Sequence, residues 1–175
     1  STVGTVTEIQ DYLRLLFGRA GEPHCPKCDR SIKPQTIDEM VDQILTLPKG
    51  TRYQLLAPVV RGKKGTHSKL LSGLALEGFA RVRVNGEVMD LSDNIELDKN
   101  HLHSIEVVVD RLIARDEIQE RLTDSLKTAL KRGEGLALVE VVPKANESLP
   151  DGIERERLYS ENFACPAHGA VIEEL

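Results

Sequence analysis

Four residues of this chain have the types and spacing of a metal site. Cys25-Pro26-Lys27-Cys28 near the start and Cys165-Pro166-Ala167-His168 near the end are knuckles of one design. In each, two ligands stand two residues apart, so a single tight turn can present both, and the prolines shape that turn. Zinc takes four thiolate or imidazole ligands tetrahedrally. Cys25, Cys28, Cys165 and His168 complete that number. A catalytic zinc keeps one position open to water, so a full set of four points to a structural role. His24 adjoins Cys25, and adjacent residues rarely ligate together; it reads as a surface or supporting residue. The bland account is three ordinary cysteines and a surface histidine. Two matching knuckles in a chain with only three cysteines weigh against it. An odd cysteine count also leaves a disulfide framework incomplete.

Between Cys28 and Cys165 lie 136 residues. A metal at this site therefore ties the root of a long insertion. Residues 32–159 are expected to form a lobe, with residues 1–31 and 160–175 as a stem that the zinc pins.

The remaining chemistry is cationic. Arg81 and Arg83 share one face of a strand, while Val82 and Val84 share the other. If the valines pack inward, both arginines point out, where a guanidinium can hold a carboxylate in bidentate fashion. The bland account is a solvated strand face. Arg111 breaks its own pattern, because strict alternation groups it with Ile105, Val107 and Val109. Either the strand leaves the core there or a bulge turns Arg111 outward; its neighbour Asp110 is free to pair with other charges. Arg61-Gly62-Lys63-Lys64-Gly65-Thr66-His67-Ser68-Lys69 reads as a basic loop, with a solvated turn as its plain account. It lacks the Gly-Lys-Ser/Thr order of a phosphate-binding loop. No catalytic constellation stands out: His103 and Ser104 are strand neighbours with opposed side chains, and His101 reads as a turn residue.

These groups need elements to hold them. Val6, Ile9, Leu13, Leu16 and Phe17 predict a helix over residues 7–20. Thr36 and Glu39 form a capping box before a helix burying Ile37, Met40, Val41, Ile44 and Leu45. Residues 53–60 predict a strand, with Pro58 marking an edge or an end. Leu70, Leu71 and Leu74 predict a short helix closed by Gly78. Asn85-Gly86, between alternating runs, predicts a hairpin with a primed turn. Residues 105–113 predict a strand. Asp116 is the expected cap of a helix presenting Ile118, Leu122, Leu126, Ala129 and Leu130. Residues 136–142 predict a further strand, residues 144–156 a mobile charged loop, and residues 157–163 a last extended segment. The fold class is α/β in the broad sense (α+β): a mixed or antiparallel sheet with a β-hairpin and packing helices.

The chain has 175 residues, of which 40% are hydrophobic and 29% charged, enough for a core of Leu, Val and Ile. Its formal net charge of -5 argues against generic nucleic-acid binding. No apolar run approaches the ~20 residues of a membrane span, and no secretory signal opens the chain. A cytoplasmic, membrane-free protein is expected. Both ends read as cuts through a longer chain.

Several blocks resemble the UvrA family. They are Ser1 to Ile9, Asp11 to Phe17, Cys25-Pro26, Leu56-Ala57-Pro58, Lys64-Gly65, Arg81-Val82-Arg83, Ile105 to Arg111 and Glu161 to Pro166. That family comprises the damage-sensing ATPases of bacterial nucleotide excision repair, and its first ATPase module carries a UvrB-binding insertion. The resemblance implies that residues 32–159 are that insertion, with residues 160–175 returning toward the ATPase. It implies UvrB as partner, bound through Arg81 and Arg111, with Arg83, Arg61 and Lys64 assisting. It implies structural zinc. ATP and DNA would be bound by other parts of a full-length homodimer, leaving this piece a monomeric binding domain without ATPase activity. The family pattern has Cys-Pro-x-Cys where this chain has Cys165-Pro166-Ala167-His168; histidine is a competent substitute. The alternative is a nucleic-acid-contacting zinc module using the basic segment and the arginine hairpin. An independent zinc hydrolase would need an open coordination position.

Overall fold

The computed structural model describes His24, Lys27, Cys28 and residues 34–162, together with the backbone of Ala164–Cys165 and Gly169–Ala170. The expected stem helix and the expected zinc ligands Cys25 and His168 lie outside the described residues. In chain order the elements are α1 (Ile37–Ile44), β1 (Arg52–Lys64), α2 (Ser68–Leu76), β2 (Arg81–Val84), β3 (Glu87–Asp90) and β4 (Leu102–Ile113). There follow α3 (Gln119–Arg132), β5 (Leu136–Val141), β6 (Glu156–Ser160), β7 (Ala164–Cys165) and β8 (Gly169–Ala170). Six strands form one sheet in the order β3-β2-β4-β1-β5-β6, antiparallel throughout. β7 and β8 pair separately, with Cys165 opposite Gly169.

Local chemistry accounts for most of these elements. Thr36 caps α1: its hydroxyl oxygen accepts from the Glu39 backbone N–H at 3.2 Å and its O–H donates to the Glu39 carboxylate at 3.1 Å. α1 buries Met40, Val41 and Ile44, but leaves Leu45 exposed beyond its end. In α3, Leu122, Leu126, Ala129 and Leu130 make one buried stripe, and Lys131 and Arg132 complement the dipole in the last turn. Asp116 does not cap α3 as expected. Glu117 intervenes with φ 49°, so the helix begins only after Ile118, and Asp116 pairs with Lys49 at 3.0 Å instead. Asn85 and Gly86 have φ 50° and 88°, the two positive values that a primed hairpin turn requires.

β1 is longer than its sequence implies. Arg61 to Lys64 belong to the strand rather than to a loop, because Lys63 and Lys64 pair with His103 and Leu102. Register shifts on either side of Val60 absorb Pro58 and Gly62. The last β1–β5 pair is Leu56 with Leu138, so Pro58 sits where β1 is already an edge on that side.

One face of the sheet carries the main core. Tyr53, Leu55 and Ala57 of β1, Ile105 and Val107 of β4, and Val139 of β5 pack with the buried stripes of α1 and α3 and with Leu71 and Leu74 of α2. Leu56, Val108 and Leu138 form a smaller apolar cluster of their own. The cross-strand pairs place that cluster on the opposite face.

Candidate functional site

The opposite face acquires its charged residues through a defect in β4. Pairing with β1 jumps from Leu56–Val108 to Leu55–Asp110, leaving Val109 as an extra residue. Before the bulge Ile105 and Val107 face the core; after it Leu112 does, opposite Tyr53. The bulge therefore hands Arg111 to the opposite face, where it is exposed. Of the two accounts the sequence allowed for Arg111, the bulge is the one realised. Asp110 turns toward α3, where Arg121 donates to it from Nε at 3.1 Å and Nη2 at 2.8 Å, and the Ser125 hydroxyl donates at 2.5 Å. Burial pushes the Asp110 carboxyl up, but the bonds from Arg121 and Ser125 outweigh it and hold it below the usual 3.8.

Arg83 departs from the sequence reading. It shares the face of Arg81, yet its side chain is only 6% exposed. Its guanidinium donates to Glu106 on β4, to Glu140 on β5 at 2.8 Å, and to Glu156 on β6. Gln54 Nε2 donates to the other Glu140 oxygen at 2.5 Å. Both Nη groups of Arg83 are thus engaged inside the chain rather than offered to a partner, while its buried Nε has no hydrogen-bond partner among the described residues. In a flat sheet β2 and β6 would lie four strand spacings apart, about 19 Å. An arginine and a glutamate cannot bridge that gap, so the sheet must curl into a trough with Arg83 clasping its walls. Burial lowers the proton affinity of Arg83, but its bonds to Glu106 and Glu156 more than restore it. Burial raises Glu106 above the usual carboxylate value despite Arg83, and the neighbouring Glu156 carboxylate adds to the rise.

Two clefts among the described residues take in these side chains, the larger on this face and the smaller at the sheet margin toward α3. The smaller, about 300 Å³, is lined by Phe79, Arg81, Asp110, Arg111 and Arg121 among others. Arg81 and Arg111 therefore meet at one opening from neighbouring strands. Arg81 is 41% exposed and lies 3.7 Å from Asp90, a surface pair that water screens. The larger cleft, about 610 Å³, shares Arg111 and reaches across β1 and β5 to Val142, Lys144 and Arg155. Arg61 and Lys64 lie at the far end of β1 and line neither cleft. His103 is buried, with Nδ1 3.0 Å from Asn85 Nδ2 and Nε2 2.7 Å from the Asp98 carbonyl, so one ring nitrogen meets the hairpin turn and the other the β3–β4 connection. Of the expected metal ligands, Cys28 is half-buried and the Cys165 backbone lies in β7. Sequence reasoning missed the glutamates of the clasp. Their signal was present: Glu140 is the one charge in the otherwise apolar β5 and Glu106 stands between Ile105 and Val107, and a charge in such a place requires a partner.

The model of the UvrA interaction domain family matches residues 35–143, from the approach to α1 through β5. The chain belongs to the UvrA interaction domain family. The match takes in Arg81, Arg83, Arg111, Glu106 and Glu140, so both clefts are built largely from the UvrA interaction domain. Among curated relatives, the UvrABC system protein A of Synechocystis sp. is 56% identical over the whole of this chain and 20% of its own length. Those of Clostridium perfringens and Bacillus subtilis are 52% and 50% identical, again over all of this chain and over 18% and 17% of their lengths. The chain thus spans about a fifth of the relatives it matches.

Proposed function

We propose that this chain is the UvrB-docking segment of a UvrA-type nucleotide excision repair protein, with Arg81 and Arg111 as its principal contacts. The observation that carries the reading is their convergence on one cleft. The β4 bulge turns Arg111 toward that opening, and the bonds of Arg83 tie down the strand on which Arg81 stands. Two guanidiniums in one opening suit carboxylates of a protein partner. The chain acts as a binding module; ATP hydrolysis and DNA engagement belong to other parts of the full-length protein. Zinc held by Cys25, Cys28, Cys165 and His168 would pin the stem, and three thiolates with one imidazole are a fitting donor set for it. The test is a titration of the 175-residue chain with UvrB and, separately, with duplex DNA across salt concentrations. Saturable UvrB binding with negligible DNA binding supports the reading. Tight DNA binding that weakens steeply with salt, without UvrB binding, would overturn it in favour of a nucleic-acid module.

A further inference from the structure

The larger cleft has a chemistry of its own. Six large hydrophobic side chains are exposed among the described residues, and three of them, Val88 at 38%, Ile113 at 49% and Val142 at 41%, line this one cleft. They come from three different strands or strand ends. Ile113 lies opposite Arg52 in the β1–β4 ladder, and the Val142 N–H donates to the Arg52 carbonyl at 2.8 Å, so two of them flank one residue. None is needed for the main core, which lies on the other face. Around this apolar floor stand Arg52, Arg111, Lys144 and Arg155. None of the four forms an ion pair with a described residue. The nearby acid, Glu140, is already matched by Arg83 and Gln54. A chain with a net charge of -5 thus gathers unpaired cations around exposed aliphatics in one place.

We propose that this cleft seats an acidic segment of the protein partner that carries one aliphatic or aromatic side chain, extending the contact begun at Arg81 and Arg111. The proposal rests on the docking reading above. The apolar side chain enters between Ile113 and Val142, and carboxylates on either side meet the cationic rim. An apolar anchor ringed by complementary charge is the usual form of an energetic centre in protein recognition. Phosphates of a nucleic acid would match the rim but leave the aliphatics without a role, which is why a peptide segment is the occupant chosen.

The experiment is UvrB binding by the 175-residue chain carrying Ile113→Asp, or Arg52→Glu with Arg155→Glu, each checked for native circular dichroism and melting. Both are expected to weaken binding at least about tenfold, and the arginine pair should also flatten the salt dependence. If Ile113→Asp does not fold, the arginine pair decides alone. Folded variants that bind UvrB within twofold of the parent, while Arg81→Glu with Arg111→Glu abolishes binding, overturn this proposal and leave the docking reading standing. Loss of binding in the cleft variants with none in the Arg81 and Arg111 variant does the reverse. Retained UvrB binding with a dimer-to-monomer change in sedimentation assigns the cleft to a second copy, and loss of duplex DNA binding instead assigns it to nucleic acid. Either result overturns the proposal.

Discussion

Replacing Arg83 with methionine keeps the length of the side chain and removes the only cation of the clasp. Glu106 and Glu140 are 14% and 11% exposed at the side chain, so neither can reach water without opening the trough. Glu156, at 42%, can turn outward and drop out of the balance. Two carboxylates are then left buried without their partner. Removing one member of a buried ion pair costs roughly 3–5 kcal/mol, against a total stability of about 5–15 kcal/mol for a domain. Arg83→Met should therefore lose about 3–5 kcal/mol in urea denaturation at pH 7. The loss should shrink in acid. Burial already raises the folded-state value of Glu106 above 4.5, and without Arg83 only the weaker attraction of Arg61 opposes that rise. A carboxyl raised in the folded state is a penalty that is full above its folded value and is relieved as pH falls through it. Adding Glu106→Gln and Glu140→Gln to Arg83→Met should restore most of the stability at pH 7. A variant within 1 kcal/mol of the parent at pH 7, or one with the same loss at pH 7 and pH 4.5, would refute the clasp.

Four other outcomes are expected. Asp110 is lowered in the folded state, so its contribution is present above 3.8 and disappears as pH falls through its folded value. Because Arg121 is 55% exposed, Asp110→Asn should cost only about 1 kcal/mol at pH 7, with the difference vanishing in acid melts. Gly73 lies inside α2 with nothing within 4 Å of a built Cβ, so Gly73→Ala should raise stability by about 0.5–1 kcal/mol. At Gly133 a Cβ would come within 2.0 Å of the Leu136 carbonyl oxygen, so Gly133→Ala should instead lower the melting temperature sharply. Zinc analysis should find one metal per chain, and chelation should loosen the stem while the amide spectrum of residues 35–160 stays folded. Collapse of the whole spectrum would contradict separate roles for stem and lobe.

How much was legible in the sequence varied with the range of the interaction responsible. The α1 cap, the Asn85-Gly86 turn and the buried stripe of α3 depend on residues within a few positions of one another, and each was readable. Arg111 posed the right question, since its charge could not share a face with Ile105 and Val107, but the bulge that answers it depends on the register against β1. Arg83 looked identical to Arg81 because alternation gives a face and not a depth. Its burial comes from glutamates 23, 57 and 73 positions away, joined only when the sheet curls. The segment at Arg61 read as a loop because it is basic and polar, whereas pairing with β4 carries the strand past Pro58 and Gly62.

The central claim is that Arg81 and Arg111 form the partner-binding opening of this UvrA interaction domain. Its most direct test is the affinity for UvrB of the 175-residue chain, measured by calorimetry with and without Arg81→Glu and Arg111→Glu. Each lost charged contact is worth roughly 1.5–3 kcal/mol, so the double variant should bind at least about a hundredfold more weakly while melting as the parent does. A folded double variant with the parent's affinity would contradict the account.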